Sequence, residues 1–364
     1  MSSTQEFILF IPGFGSKEPE TYLIKLVEGI RKYCDRNNFS FEDLDDSAIE
    51  IEGIQQRRIK VQLDDEISRV IDIQEVYWGD LKTILSPESG IIQVIRGLNL
   101  LLFWILSPRL WKQIISSKYI FFWTLATLIV SIAWYYGVLA TTFTAIGADP
   151  HILGLELTDF ELVDDVVSFF QERGDYLNGI NAMVISSILI YVFPVKEIID
   201  MAYATKCYLT NYKGTYNKIY SRVNTYLRGI VKQSSDEQSN KPKYDRITVL
   251  SHSFGVVIST ELLAKYSGKI AIRNITLGGA LLLITGRSNR VKKAQNLLAT
   301  SSKIAPWIDF YSESDWLCTT SSINKQQEID SRRIKTVVEF DEKFTGESHN
   351  LYFDDDEVIQ TLLT

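Results

Sequence analysis

Residues 246–255 have the sequence Arg-Ile-Thr-Val-Leu-Ser-His-Ser-Phe-Gly. Residues 247–250 are apolar or β-branched, as in a buried strand, and the pattern from 256 to 266 is that of a helix. A serine at a sharp strand-to-helix turn is typical of a nucleophile elbow, in which the hydroxyl projects above the N-terminus of the helix. The pattern therefore predicts Ser253 as a nucleophile. A turn without chemistry is the alternative, because Ser251 replaces the first glycine of the G-x-S-x-G pattern.

A serine nucleophile needs a base whose pKa lies near the working pH, and histidine is the usual choice. The chain contains three histidines. His252 is the neighbour of Ser253 and is expected to point away from it across the turn, and His151 lies in an acidic segment far upstream. His349 follows a strand-like segment, 334–340, and precedes a helical pattern over 355–363. We therefore expect His349 to be the base.

The third member of a triad is a carboxylate that orients the histidine. Two aspartates between the serine and the histidine in the chain lie in or directly after the same strand-like segment. Asp309 lies inside a strand-like run, residues 307–311, and Asp315 lies in the polar segment after it. Because catalytic residues are commonly carried by loops, the position of Asp315 favours it over Asp309.

The order Ser253, Asp315, His349 is the Ser, Asp, His order of the α/β-hydrolases. With its Ser-His-Ser-Phe-Gly elbow, the chain resembles a lipase-like serine hydrolase of that superfamily over about residues 1 to 80 and 240 to 364. The resemblance implies an α/β fold with a mostly parallel sheet flanked by helices. It also implies that an acyl-enzyme forms on Ser253.

The same resemblance assigns an oxyanion hole. Residues 12–16, Pro-Gly-Phe-Gly-Ser, follow the apolar strand-like residues 7–11, where the family has a His-Gly loop. Pro12 stands in place of that histidine, but an oxyanion hole uses backbone N–H groups. The resemblance therefore implies that the N–H groups of Phe14 and Phe254 are the donors. A plain glycine-rich turn is the alternative for the first loop.

Two uncharged segments suggest an insertion in the catalytic domain. The chain has 364 residues, more than one compact core requires, and no charged residue occurs in 119–148 or 176–195. Both segments reach the roughly 20 residues that a membrane-spanning helix needs. We expect an antiparallel hairpin of spans near 120–142 and 177–195. A pair of buried helices in a lid or dimer interface is the alternative, and the shorter uncharged segment 97–108 suits an interfacial or re-entrant helix.

Charge placement predicts the topology. Residues 149–175 contain eight acidic residues and one arginine, whereas both outer flanks of the predicted hairpin are basic. The positive-inside rule then places the catalytic domain in the cytoplasm and the acidic loop outside. The predicted organisation is a first part of the hydrolase domain, 1–88, a membrane insertion, 89–200, and a second part, 201–364. The pattern over 197–232, which crosses from the membrane insertion into the second part, is helical.

The composition of the chain indicates which classes of binding partner to expect. The sequence pI is about 5.2 and no basic run interleaves with aromatic residues, so nucleic-acid binding is not expected. The three cysteines show neither paired nor metal-ligand spacing, and there is no phosphate or dinucleotide loop, so no metal and no cofactor is expected. The expected partners are a lipid bilayer and an acyl-ester substrate, and the sequence makes no prediction of oligomeric state.

These observations predict a membrane-anchored serine hydrolase that cleaves acyl esters. Lipids are the favoured substrates, because an anchored domain meets amphiphilic molecules at high local concentration. Two alternatives stay open. One is an interaction or sensor protein of the same fold with an idle triad, and the other is a thioesterase or acyltransferase, since fold alone does not give function.

Overall fold

The computed structural model of the protein describes most of the chain. The described residues are 2–14, 18–44, 56–63, 67–85, 90–115, 118–148, 165, 168–169, 172–173, 195–235, 242–315, 321, 329–334 and 347–364. The chain divides into two compact units. The first contains Met1–Leu81, Arg109–Gln113 and Gly214–Thr364, and the second contains Lys82–Pro108 and Ile114–Lys213. The sequence-based boundaries after residues 88 and 200 both fall inside the second unit.

In its described residues, the first unit is built on a sheet of eight strands. These are β1 (Ser2–Ile11), β2 (Ser40–Asp43), β3 (Gln56–Gln62), β4 (Ile67–Glu75), β5 (Arg246–His252), β6 (Ile272–Leu277), β7 (Ile304–Tyr311) and β8 (Ile329–Arg333). Their order is β2-β3-β4-β1-β5-β6-β7-β8. The pairs β2–β3 and β3–β4 are antiparallel and the other pairs are parallel. The predicted α/β class with a mostly parallel sheet flanked by helices is therefore confirmed.

Ten helices accompany the strands in the described part of the chain. They are α1 (Thr21–Asn37), α2 (Gly90–Ile105), α3 (Pro108–Ile115), α4 (Lys118–Ala148), α5 (Val195–Leu209), α6 (Thr215–Ser234), α7 (Gly255–Leu263), α8 (Leu281–Arg287), α9 (Asn289–Ala299) and α10 (Asp356–Leu363). Short 3-10 turns cover Gly79–Leu81, Tyr212–Gly214 and Glu347–Phe353. The predicted terminal helix is present as α10, and Asp355 caps it by accepting hydrogen bonds from the N–H groups of Glu357 and Val358.

The two faces of the central strands are covered by different helices. Residues 7–11 of β1 are almost fully buried, which is typical of a parallel strand with helices on both faces. Ile8 and Phe10 pack in one cluster with Leu26 of α1 and Ile359 of α10. The side chains that alternate with them point to the other face, where α7 packs against β1 and β5. This arrangement places the N-terminus of α7 at the carboxyl end of β5.

The helical pattern over 197–232 forms two helices rather than one. Between α5 and α6 the backbone enters the left-handed region at Asn211, Lys213 and Gly214, with φ values of 53°, 51° and 75°. A right-handed helix cannot continue through such residues. The break coincides with the boundary between the two compact units.

The second unit has its own small core. Leu85, Leu100, Ile199, Tyr203 and Cys207 are buried together, so that α2 and α5 share one apolar cluster. Val130 and Trp134 of α4 pack against it. The predicted second span, 177–195, and the acidic loop, 149–175, lie almost wholly outside the described residues.

A side chain from the sheet caps the N-terminus of α1. Glu20, directly before the helix, is left-handed with φ of 66°, and its side chain makes no capping hydrogen bond. Instead Glu75, the last residue of β4, accepts a hydrogen bond from the N–H of Leu23 at 2.9 Å. Burial raises the pKa of the Glu75 carboxyl to about 7. The native chain therefore binds this proton more tightly than the unfolded chain does.

Replacing Glu75 with glutamine tests this cap. A glutamate in the unfolded chain has a pKa of about 4.3, so native stability falls as the pH rises from there to about 7. The Glu75→Gln side chain has no proton to lose in this range. We expect the stability of the variant, relative to the wild type, to increase by up to about 3 kcal/mol between about pH 5 and pH 8. Denaturant unfolding at each pH measures this, and a difference that does not change with pH would contradict it.

Candidate active site

Ser253 lies at a strained turn between β5 and α7. Its φ is 57°, in the left-handed region that residues with a β-carbon enter at a cost of about 1 kcal/mol or more. The turn is held on both sides, because the N–H of Ser253 donates to the carbonyl of Leu277 at 2.9 Å and the N–H of Val256 donates to the carbonyl of Ser253 at 3.1 Å. The strand and the helix that the sequence predicts on either side of Ser253 are both present.

Two glycines allow the backbone to close around this turn. A β-carbon on Gly255 would lie 2.1 Å from the carbonyl oxygen of Ile11. One on Gly13 would lie 2.4 Å from Cβ and 2.8 Å from Oγ of Ser253. Real atoms do not approach so closely, so no larger residue fits either position without a shift. The loop after β1 therefore lies directly against the proposed nucleophile.

Asp315 follows β7 and contacts the predicted base. Its side chain is fully buried, and its Oδ2 lies 2.6 Å from Nδ1 of His349. The hydroxyl of Tyr352 donates to the same oxygen at 2.9 Å. Because a carboxylate only accepts, Nδ1 carries the proton when Asp315 is ionised, which leaves Nε2 of neutral His349 as an acceptor. This is the tautomer that a general base requires.

Asp309 belongs to a different network. It is fully buried inside β7 and accepts hydrogen bonds from Oγ1 of Thr276 at 2.6 Å and from the N–H and Oγ of Ser321, both at 2.7 Å. Burial raises the pKa of its carboxyl. Asp309 thus joins β7 to β6 and to Ser321, and the structure brings Asp315 rather than Asp309 to His349.

His349 lies in the turn Glu347–Phe353 and is largely buried. Its Nε2 is buried and makes no hydrogen bond within the described part of the chain. No hydrogen bond joins Oγ of Ser253 to Nε2 of His349 among the described residues. Contacts between nucleophile and base are often long before substrate binds, so the pairing of Ser253 with His349 stays a prediction.

His252 makes a contact that the sequence did not predict. Its ring centroid lies 4.5 Å from that of His349, and its Nε2 lies 2.8 Å from the carbonyl oxygen of His349. Burial, and to a lesser degree the neighbouring His349, hold the pKa of His252 well below its usual value. The side chain of His252 thus contacts the loop that carries the predicted base, His349.

Aromatic rings cover the residues expected to form the oxyanion hole. The rings of Phe14 and Phe254 stack with centroids 4.4 Å apart, and Trp78 contacts both at 5.3 and 6.1 Å. The indole N–H of Trp78 donates to the carbonyl of Pro12 at 2.8 Å. Trp78 therefore holds the first loop beside the elbow. The assignment of the N–H groups of Phe14 and Phe254 as donors stays a prediction.

Sequence reasoning missed Trp78, Tyr352 and the role of His252. A weak signal existed for the first two, since Trp78 follows the end of β4 closely and Tyr352 is three residues from the predicted base. Nothing in the local pattern points from His252 to the base loop. In the described residues, no group of three or more His, Cys, Asp or Glu side chains is arranged to hold a metal ion.

Comparison of the chain with models of protein families, with curated proteins and with solved structures finds no match.

Replacing Asp309 separates its structural role from the role proposed for Asp315. In Asp309→Ala the N–H of Ser321 and the hydroxyl of Thr276 lose their acceptor, and one buried unsatisfied group costs about 1 to 3 kcal/mol. In Asp309→Asn the amide oxygen can accept from Ser321 N–H while the NH₂ group donates to the two hydroxyls. We expect thermal unfolding to show a clear loss of stability for the alanine variant and a small one for the asparagine variant. Equal stability of the wild type and the alanine variant would contradict this network.

Proposed function

We propose that this protein is a membrane-anchored serine hydrolase that cleaves the acyl esters of lipids. The observation that carries the proposal is the buried pair of Asp315 and His349, with the main chain of His349 hydrogen-bonded to the residue before Ser253. The strained φ of Ser253 and its place between a parallel strand and a helix support the same conclusion. Strain of this kind is common at functional sites.

The proposed reaction has two stages. Oγ of Ser253 attacks the acyl carbonyl carbon while its proton moves to Nε2 of His349, and Asp315 stabilises the imidazolium that forms. The tetrahedral intermediate collapses, His349 gives the proton to the leaving alcohol, and the acyl group stays on Ser253. Water then attacks this ester with His349 as base. The acid is released and the Ser253 hydroxyl is restored.

In the proposed reaction, the negative charge that develops on the acyl oxygen is stabilised by N–H donors in the elbow and in the first loop. The N–H of Phe254 follows the nucleophile, and the close approach of Gly13 to Ser253 supports a second donor at Phe14. The start of α7 directly after the turn adds the favourable end of a helix dipole. Loss of the histidine that the family has at Pro12 leaves these backbone groups unaffected.

Helix α4 supports the proposed membrane anchor. Of the described helices, it is the one long and apolar enough to cross a bilayer by length and composition. Its window Leu128–Ala145 has a mean hydropathy of 1.5 and is 11% buried inside the protein. Its exposed apolar side chains include Leu125, Ile129 and Ile132. An apolar surface of this length has few partners other than lipid or another protein.

Helix α2 adds a second apolar surface to the same unit. Four side chains along one face are exposed, Ile92, Ile95, Leu98 and Leu102. At 16 residues the helix is about 24 Å long, which is shorter than the roughly 30 Å of a bilayer core. This length suits an interfacial or re-entrant helix, which the sequence predicts over 97–108 and α2 overlaps only in part. The second span and the cytoplasmic orientation remain part of the proposal, because they rest on the sequence.

A second candidate function is an interaction or sensor protein of the same fold. The observation that favours it is the lack of a hydrogen bond between Ser253 and His349 in the described residues. A thioesterase or acyltransferase would use the same residues with another leaving group or acceptor. Activity measurements distinguish these classes, because an idle triad leaves Ser253 unreactive.

Removal of the proposed nucleophile or base tests the hydrolase. The purified protein should be labelled on Ser253 by a fluorophosphonate and should hydrolyse short p-nitrophenyl esters. Ser253→Ala and His349→Ala should each lower ester turnover by several orders of magnitude, because the triad acts as a unit. Asp315→Asn should be severely impaired, and the matched control Asp309→Asn should keep most of the activity. An unlabelled, inactive wild type would favour the idle protein, and full activity of His349→Ala would overturn the base assignment.

Fractionation of cells tests the anchor. The full-length protein should sediment with membranes and should stay there in alkaline carbonate, because α4 and the predicted second helix remain in the apolar bilayer core. Protease added outside intact cells should cleave only within about residues 149 to 175 and should spare Ser253. Quantitative recovery in the soluble fraction without detergent would reject the anchor. Cleavage near Ser253 from outside would keep the anchor and reverse the orientation.

A further inference from the structure

His252 has one ring nitrogen in a defined hydrogen bond. The side chain is fully buried, and its Nε2 lies 2.8 Å from the carbonyl oxygen of His349. A carbonyl oxygen only accepts, so Nε2 of His252 is the nitrogen that carries the proton. The other nitrogen, Nδ1, is buried and has no hydrogen-bond partner in the part of the chain that the structure describes. A neutral ring with its proton on Nε2 fits both observations.

The ring of His252 is enclosed by other rings. The centroid distances are 5.4 Å to Tyr22 of α1, 5.0 Å to Phe353 and 6.1 Å to Tyr352. Packed rings leave an imidazole little freedom to turn. The hydrogen bond to His349 is therefore held in one geometry by the core of the first unit.

His349 is thus held at two points, one on its side chain and one on its main chain. Asp315 holds the side chain through Nδ1, and His252 holds the main chain through the carbonyl oxygen. His252 is also covalently joined to Ser253. One residue and one hydrogen bond therefore connect the main chain of the nucleophile to the main chain of the base.

We propose that His252 is a positioning residue that sets the reach of His349 toward the hydroxyl of Ser253. The inference rests on the proposed serine hydrolase function. His252 acts through the main chain of His349 and takes no part in proton transfer, because its N–H is engaged with a carbonyl. A displacement of about 1 Å at a catalytic group is enough to lower a rate by about 100-fold.

A matched pair of amide variants isolates this hydrogen bond. Glutamine places its NH₂ group about where Nε2 of a histidine lies, whereas asparagine places it about where Nδ1 lies. The probe is a fluorophosphonate, and the measured quantities are its maximal labelling rate and its half-saturating concentration. We expect His252→Gln to label within about threefold of the wild type, and His252→Asn to have a maximal rate lower by about 10- to 100-fold with an unchanged half-saturating concentration.

The other outcomes each overturn something specific. Wild-type labelling rates in both variants would show that the hydrogen bond has no role, and equally slow labelling in both would assign the effect to the ring instead. A wild type that does not react at all would remove the proposed function itself. Thermal unfolding of the two variants at similar temperatures is the control for folding.

A spectroscopic measurement tests the inference without activity. In ¹⁵N-histidine NMR spectra of the wild type, the resonance of His252 should be that of a neutral ring protonated on Nε2. A ring protonated on Nδ1 instead would overturn the proposal, even if Ser253 were reactive, because the bond to His349 would then have no donor.

Discussion

The close approach of three backbone segments around Ser253 is the constraint on which the rest of the site depends. The carbonyl of Ile11 lies where a β-carbon of residue 255 would be, and Ser253 itself lies where a β-carbon of residue 13 would be. With larger residues at these positions, α7 would move from β1 and the first loop would move from Ser253. The strained φ of Ser253 is maintained because the packed strand, helix and loop around it restrict its backbone to this conformation.

The site also depends on a buried carboxylate that accepts enough hydrogen bonds. Asp315 is fully enclosed, and a buried charge without partners is costly. The side chains of His349 and Tyr352 both donate to its Oδ2, and this satisfies the oxygen and fixes the histidine ring. In the proposed reaction the positive charge on His349 would form beside this carboxylate, away from water, where the attraction between the two charges is strong. Tyr352 contacts Asp315, and His252 contacts the main chain of His349, the proposed base.

The sequence pattern of neighbouring residues predicts several of the strands and helices. The elbow strand, the helix after it and α10 overlap the segments that the sequence predicts for them, because hydrophobic spacing and end signals are properties of neighbouring residues. Asp315 was favoured over Asp309 from loop placement alone, and the structure brings Asp315 to His349. The contacts of Asp309 were not predictable, because the pairing of Asp309 with Thr276 depends on the register of β6 and β7. The link from His252 to His349 joins residues 97 positions apart in the chain, which no local pattern encodes. The break between α5 and α6 is not predicted either, although Asn211 and Gly214, which take left-handed φ values there, are the residue types that most often end a helix in this way.

A structure of the protein after reaction with a fluorophosphonate would test whether Ser253, His349 and the two backbone donors act together. We expect a phosphonyl group on Oγ of Ser253, with one oxygen about 3 Å from the backbone nitrogens of Phe14 and Phe254. Nε2 of His349 should lie within hydrogen-bond reach of the adduct. A phosphonyl group on another residue would show that Ser253 is not the nucleophile. An adduct on Ser253 would argue against the proposed site if its oxygen pointed away from both nitrogens and Nε2 of His349 stayed out of hydrogen-bond reach.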